Sequence, residues 1–298
     1  MDRRIYNEIV KPLLVDDPLP VINWMKEKKL LPREVKCELC EETLNWTKNK
    51  SSRDMYAWRC MSKNCSKYKH TISIRKGTIF SQSKITLQQW IHVIFCWTSE
   101  MNEKLTTSFT NISERSIQEL FGLFRETCTR YFKENPVQLV GPGTVVQIDE
   151  SSFSHKVKHH RGRAGAGTLW VFGMVDTSFS PAIGYMEIVE KRDQITLLPI
   201  INRVARRGSI IHSDEWRAYR NISEDFNHQT VNHTLHFVDP ETGVHTQHVE
   251  SYWNKHKYRI KSMRGCQRHL LQGYLNEFMW MERNRTCKFL KVCKEFII

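Results

Sequence analysis

Two short apolar runs, each closed by an aspartate, constrain this chain more than any other feature: Thr144-Val-Val-Gln-Ile-Asp149 and Ser209-Ile-Ile-His-Ser-Asp214. Short runs rich in Val and Ile read as buried strands. Between them lie two further strand-like segments, Leu169–Val175 and Ala182–Val189, which predict a hairpin. A helical pattern over Ile195–Arg206 follows, with Leu197, Leu198, Ile200, Ile201 and Val204 apolar. Beyond the second run, Glu250–Met263 and Leu270–Arg283 read as helices. Gly141-Pro-Gly143 breaks the chain before the first run and is the best domain boundary.

This order puts Asp149 at the end of a first strand, Asp214 after a fourth, and Glu250 at the opening of a following helix. It is the strand plan of an RNase H-like fold. Parallel first and fourth strands set Asp149 beside Asp214, and a helix packed over their edge delivers Glu250. Three carboxylates gathered together repel one another unless cations neutralise them. Two Mg²⁺ (or Mn²⁺) about 3.5–4 Å apart would do so while bridging a phosphodiester. Glu150 and Glu215 are sequence neighbours, but side chains alternate along a strand, so one of each pair faces the site. Asp176 also follows a strand and ranks below the three.

The chain has 298 residues and 45 Lys+Arg against 32 Asp+Glu, a formal net charge of +13, which favours a polyanionic partner such as nucleic acid. No secretory leader is visible at Met1-Asp-Arg-Arg-Ile-Tyr6, and no stretch approaches the ~18 apolar residues of a membrane span. An intracellular, reducing setting is expected. Clustered cysteines there point to metal before disulfides.

Four of the nine cysteines are clustered: Cys37-Glu-Leu-Cys40 and Cys60-Met-Ser-Lys-Asn-Cys65 read as C-x2-C and C-x4-C. Two such knuckles on a small β-ribbon suit one structural Zn²⁺, with His70 an alternative ligand. The predicted layout is a helical lead-in over 1–34, a zinc-binding ribbon over 35–80, a helical region over 81–140, the catalytic unit over 144–284 and a tail over 285–298. Within the helical region, Lys104–Asn111 and Ile117–Phe132 have helix-turn-helix proportions, and Ser113 or Ser116 caps the second helix.

Expected DNA contacts are Arg125 and Arg130 on that helix, and Lys156, Lys158, Arg161 and Arg163 in the basic stretch 155–163. Lys255, Lys257, Lys261 and Arg264, along and past the Glu250 helix, complete the set. Such clusters also read as nuclear-import signals, so a nuclear location is expected. His212, His233, His236, His245 and His248 lie near one another in sequence. Trp170, Trp216, Trp253 and Trp280 are expected in the core.

From about residue 144 to 284 the chain resembles the catalytic domain of Merlin-type DDE transposases, a eukaryotic superfamily akin to a group of bacterial insertion-sequence transposases. The resemblance rests on Ile148-Asp-Glu-Ser151, Gly162-Arg163, Trp170-Val-Phe-Gly173, Ser213-Asp-Glu-Trp-Arg-Ala-Tyr219, Phe237-Val-Asp-Pro240, Glu250-Ser-Tyr-Trp253 and Glu277-Phe-Met-Trp280. The paired cysteines, Arg75-Lys-Gly-Thr-Ile-Phe80 and Trp90 extend it N-terminally. Gln247-His248 departs from the Asn and small polar residue expected before the glutamate.

The resemblance implies a transposase that binds terminal inverted repeats as a homodimer or larger assembly. Asp149, Asp214 and Glu250 would be its metal-binding catalytic acids. It would hydrolyse the transposon ends and join their 3′-hydroxyls to target DNA. A domesticated, sequence-specific DNA-binding protein and a metal-dependent nuclease without strand transfer are the alternatives.

Overall fold

The computed structural model describes residues 2–139, 141–153, 168–222, 226–232 and 235–296. It is a mixed α+β chain without a helix long and apolar enough to cross a membrane among the described residues. It divides into two units, Met1–Thr127 with Asn284–Ile298, and Cys128–Arg283.

In the first unit, helical residues 3–13 precede α1 (Leu19–Glu27). A three-stranded antiparallel sheet follows: β1 (Asn45–Lys48), β2 (Tyr56–Arg59) and β3 (Thr71–Ser73), in that order. So small a sheet has little core of its own, and polar staples support it. Arg75 and Asp54, both buried, form a two-point ion pair at 2.7 and 2.5 Å. A third guanidinium nitrogen donates to the Ile85 carbonyl at 2.9 Å. Truncating one partner would strand a buried charge at a cost of ~3–5 kcal/mol.

Helices α2 (Leu87–Thr98), α3 (Glu103–Thr110), α4 (Glu114–Glu134) and α8 (Lys288–Glu295) complete this unit, although α4 ends in the second one. Thr86 and Gln89 form a reciprocal capping box at the start of α2. Asn111, in the left-handed region at φ 55°, closes α3. Ser113 is the residue that caps α4: its Oγ accepts from the Ser116 amide at 3.2 Å. Phe80, Trp90, Phe95, Trp97 and Phe124 are fully buried.

The second unit is built on a five-stranded sheet: β4 (Val145–Ser152), β5 (Trp170–Asp176), β6 (Ile183–Val189), β7 (Ile210–Asp214) and β8 (Asn227–Val231). Its strand order is β6-β5-β4-β7-β8. β4–β5 and β5–β6 are antiparallel, whereas β4–β7 and β7–β8 are parallel. A parallel neighbour requires a crossover, and α5 (Gln194–Val204), capped by Asp193, supplies it between β6 and β7. The other two helices are α6 (Gln247–Ser262) and α7 (Leu271–Arg283).

Strand alternation sorts the sheet into two faces. Val146, Ile148, Phe172, Met174 and Ile211 point to one face, where they pack with Leu197, Ile200, Ile201 and Val204 of α5. Val171, Val175 and Met186 point to the other and meet Val249, Tyr252, Trp253, Leu275 and Met279 of α6 and α7. Each fully buried side chain of this size stabilises by ~1.5–3 kcal/mol. Gly173 lets α6 sit flush on the sheet: a Cβ there would lie 2.4 Å from the Trp253 ring.

α6 is also pinned to α7. The buried Glu282 accepts from Tyr252 Oη at 2.7 Å, pairs with Lys255 and faces His256 Nε2 at 3.2 Å. Burial alone would raise the Glu282 carboxyl, but the Lys255 ammonium and its hydrogen bonds hold it below the usual carboxylate range, while burial keeps His256 from charging.

Candidate active-site edge and cysteine cluster

In the parallel register of β4 and β7, Val145 is level with Ile210, Val146 with Ile211 and Gln147 with His212. Two residues further along each strand, on the same face as Gln147, stand Asp149 and Asp214. This is the face that α6 covers.

α6 is fixed there by β4 itself. The buried Gln147 carbonyl oxygen accepts from the amides of His248 at 2.8 Å and Val249 at 3.2 Å, satisfying N–H groups that an α-helix leaves open in its first turn. The Gln147 amide nitrogen lies 3.2 Å from His245 Nδ1, so the amide donates and the ring nitrogen accepts. One turn into the helix, the Trp253 indole donates to Asp149 Oδ2 at 3.0 Å. Glu250, three residues before Trp253, is exposed to solvent and close enough for its charge to be felt at Asp149.

Electrostatics agree with this placement. The Asp149 carboxyl is pushed up to about 6, first by burial, then by the negative charge of Asp214, with Glu250 adding to it. The Trp253 hydrogen bond pulls the other way. Lys257, on α6, lies within the field of Asp149 and 5.7 Å from the Phe153 ring, and burial lowers its ammonium. Asp214 Oδ1 accepts from the Trp216 amide at 3.0 Å, which orients the carboxylate.

Glu150 is separated from the edge by alternation. It faces the α5 side, where the Tyr219 hydroxyl donates to Oε1 at 2.7 Å, and burial pushes its carboxyl up to about 7. The buried Asp176 caps its own turn, accepting from the Ser178 amide at 2.9 Å.

The four cysteines form a cluster. Their sulfur atoms all lie within 4.8 Å of one another, with Cys37–Cys65 and Cys40–Cys60 at 3.8 Å. Ligands at ~2.3 Å around a tetrahedral Zn²⁺ have edges of roughly 3.8 Å, so this set could hold one zinc ion. Backbone N–H groups of Cys40 and Leu39 hold the Cys37 thiol down to about 6, whereas Cys60, against a backbone hydrogen bond from Ser62, is pushed up to about 12 by burial and the neighbouring thiols, so a single proton-free thiolate is favoured until a metal binds. His70 is exposed and outside the set.

Among the described residues, this is the single such group of three or more ligating side chains; the oxygens of Asp149, Asp214 and Glu250 do not all close to that distance. The histidines are drawn together in part: His245 lies 6.5 Å from His212 and 5.4 Å from His248 by ring centroids. His233 lies outside the described residues, as do Lys156, Lys158, Arg161 and Arg163.

Of the remaining basic residues, Arg130, Lys261 and Arg264 are exposed, Arg125 is half-buried, and Lys255 is engaged with Glu282. Trp253 and Trp280 are core residues, at 3% and 1% exposure, and Trp170 is half-buried; Trp216, at 39%, is not a core residue. Sequence reasoning missed Gln147. Its signal was a polar residue set between Val146 and Ile148, one strand period before Asp149.

Residues 141–283 match the family model of the ISXO2-like transposase domain. An uncharacterized transposase-like protein of Haemophilus influenzae is 28% identical over 105 residues, covering 35% of this chain and 84% of that protein. Both similarities are to transposase or transposase-like sequences. One solved structure is similar at 13% identity with a TM-score of 0.32, over 65% of this chain and 69% of the other: an intasome of simian T-cell lymphotropic virus in complex with a PP2A regulatory subunit, B56 gamma. At that score the likeness carries no weight for this chain.

Proposed function

We propose that this protein is a DNA transposase of the Merlin type, with an RNase H-like catalytic domain behind a zinc-ribbon and helix-turn-helix-like N-terminal region. The observation that carries the reading is the edge itself. Asp149 and Asp214 lie on adjacent parallel strands, and β4 holds the first turn of the Glu250 helix over them through Gln147. The sheet order, with its antiparallel hairpin and parallel fourth and fifth strands, supports the fold assignment.

Asp149, Asp214 and Glu250 would hold two Mg²⁺ or Mn²⁺ ions, which when bound lower the pKa of an attacking water or 3′-hydroxyl and neutralise charge on the scissile phosphate. Two ions share three acids without all the oxygens meeting in one coordination sphere, which accommodates a trio more open than the cysteine cluster. Asp149 feels the negative charge of both Asp214 and Glu250, and a bound cation would neutralise that repulsion. At each end, water oxygen bonds to phosphorus as the P–O3′ bond breaks, leaving a 3′-hydroxyl. The oxygen of that hydroxyl would then bond to a target phosphorus as the target's own P–O3′ bond breaks, leaving a 3′-hydroxyl on the cut target strand.

Arg125, Arg130, Lys257, Lys261 and Arg264, together with the basic stretch 155–163, would hold the phosphates of the terminal inverted repeats and target. Two ends call for a homodimer or larger assembly, acting in the nucleus. The test is metal-dependent cleavage and joining of inverted-repeat DNA. Activity is expected in the wild type and its loss in Asp149→Ala; cleavage that survives the substitution overturns the assignment, and cleavage without joined product favours the nuclease reading.

A further inference from the structure

We infer that Trp170, Arg192 and Trp216 form a stacking site for an unpaired nucleobase next to the phosphate held at the acid edge, an inference that rests on the transposase reading for its location. Trp216 is the starting point. The residue is 39% exposed, yet its side chain is not loosely held: Nε1 donates to the Arg192 carbonyl at 3.1 Å. Its backbone amide donates to Asp214 Oδ1, which ties the start of the ring's own residue to a candidate metal-binding carboxylate.

The guanidinium of Arg192 lies 3.7 Å from the Trp170 ring centroid and 5.0 Å from that of Trp216, a cation shared by two indoles. Trp170 is level with Ser152, three residues beyond Asp149 on β4. Trp170 therefore stands on the α5 face, with Glu150 and opposite to Asp149, and it is Trp216, where the chain leaves β7, that links this pair of rings to the acid edge.

Burial does not account for this arrangement. Trp253 and Trp280 show what packing demands of an indole here, near-complete exclusion from water. An ordered, exposed ring backed by a guanidinium offers what nucleobase recognition uses: a flat π surface for the base, with positive charge for the phosphates beside it. Such stacking tolerates any sequence, because every base has a π face. Inside a duplex both faces of a base are covered by its stacked neighbours, so the occupant is a base that has left the stack. One nucleotide step from a phosphate at Asp214 reaches a residue only two positions away in the chain. The net charge of +13 favours a nucleic-acid occupant over a protein loop.

The test compares binding of a blunt DNA duplex with a forked duplex carrying 2-aminopurine at its first unpaired position, in Ca²⁺ so that binding is read without turnover. The wild type is expected to prefer the fork by about tenfold or more and to quench the 2-aminopurine. Trp216→Ala should lose both while keeping its affinity for the blunt duplex, which phosphate contacts set. Trp216→Phe, which keeps a ring without the Nε1–H, should retain most of the preference and guards against a folding defect in the alanine variant.

Equal affinity of the wild type for both DNAs, or an alanine variant that still prefers and quenches the fork, overturns the proposal. The cleavage assay separates the two readings. Fork preference with no metal-dependent cleavage supports the stacking site and sinks the acid assignment; cleavage without fork preference sinks the stacking site alone.

Discussion

The Trp253 indole nitrogen stands 3.0 Å from Asp149 Oδ2, so the helix bearing Glu250 is tied by a side-chain hydrogen bond to the strand bearing Asp149. That bond holds the carboxylate's direction and favours its charged form, against burial and against Asp214. Removing it should therefore raise the Asp149 pKa beyond about 6.

Trp253→Phe keeps the aromatic packing and deletes only the donor. Protons and divalent metal compete for Asp149, so the acid limb of the pH–rate profile for cleavage should move to higher pH. At neutral pH the rate should fall about tenfold to a hundredfold, the range for one hydrogen bond to a charged group. A pH profile of the variant that overlays that of the wild type would show that Trp253 only packs.

Gly173 provides a steric probe of the same joint. It pairs with Asp149 across β4–β5, and a methyl group there would meet the Trp253 ring at 2.4 Å. Strand and helix must separate to admit it. Gly173→Ala should destabilise the fold by ~1–3 kcal/mol, read as a lowered denaturation midpoint, and reduce cleavage more than stability alone explains. An unchanged midpoint would mean that α6 packs more loosely than this contact requires.

The strand–aspartate runs, the crossover helix and the paired cysteines were legible because each is a local pattern: apolar alternation, helical spacing, knuckle spacing. β1 and β8 were not, since Asn45–Lys48 and Asn227–Val231 are largely polar, and their pairing is what makes them strands. The site divides the same way. Asp149, Asp214 and Glu250 could be proposed from position. Gln147 as the clamp on α6 could not, because that role exists only once a helix about a hundred residues later lies on β4. Trp216 reads as core by composition and turns out exposed because the chain leaves the sheet immediately after Asp214.

The cysteine cluster makes a metal-removal prediction. Purified protein should release one Zn²⁺ per chain when its thiols are titrated with a mercurial and the metal is read with a chromogenic chelator. Cys60→Ser should release none and lose the protease resistance of residues 35–80, because a ribbon of three short strands has little besides metal and the Arg75–Asp54 pair to hold it. Intact protein free of zinc, with the ribbon still protected, would refute the site.

Glu150 gives the clearest pH prediction. Its carboxyl is raised from 4.5 to about 7 by burial on the α5 face, despite the Tyr219 hydrogen bond to it. A carboxyl with a raised folded-state pKa binds its proton more tightly when folded, so its stability contribution is full below about 4.5 and is lost as pH rises through about 7. Asp149, raised from 3.8 to about 6, acts in the same direction over a slightly lower window when metal is absent. Metal-free protein should therefore lose stability between pH 5 and 8 in urea titrations, with Glu150 accounting for up to about 3 kcal/mol. Glu150→Gln mimics the neutral form and keeps an acceptor for Tyr219, so it should flatten that slope and stabilise the protein at pH 8. Because the side chain faces away from Asp149, the same variant should retain metal-dependent cleavage. A loss of cleavage as complete as that expected of Asp149→Ala would place Glu150 in the site and reverse the alternation argument.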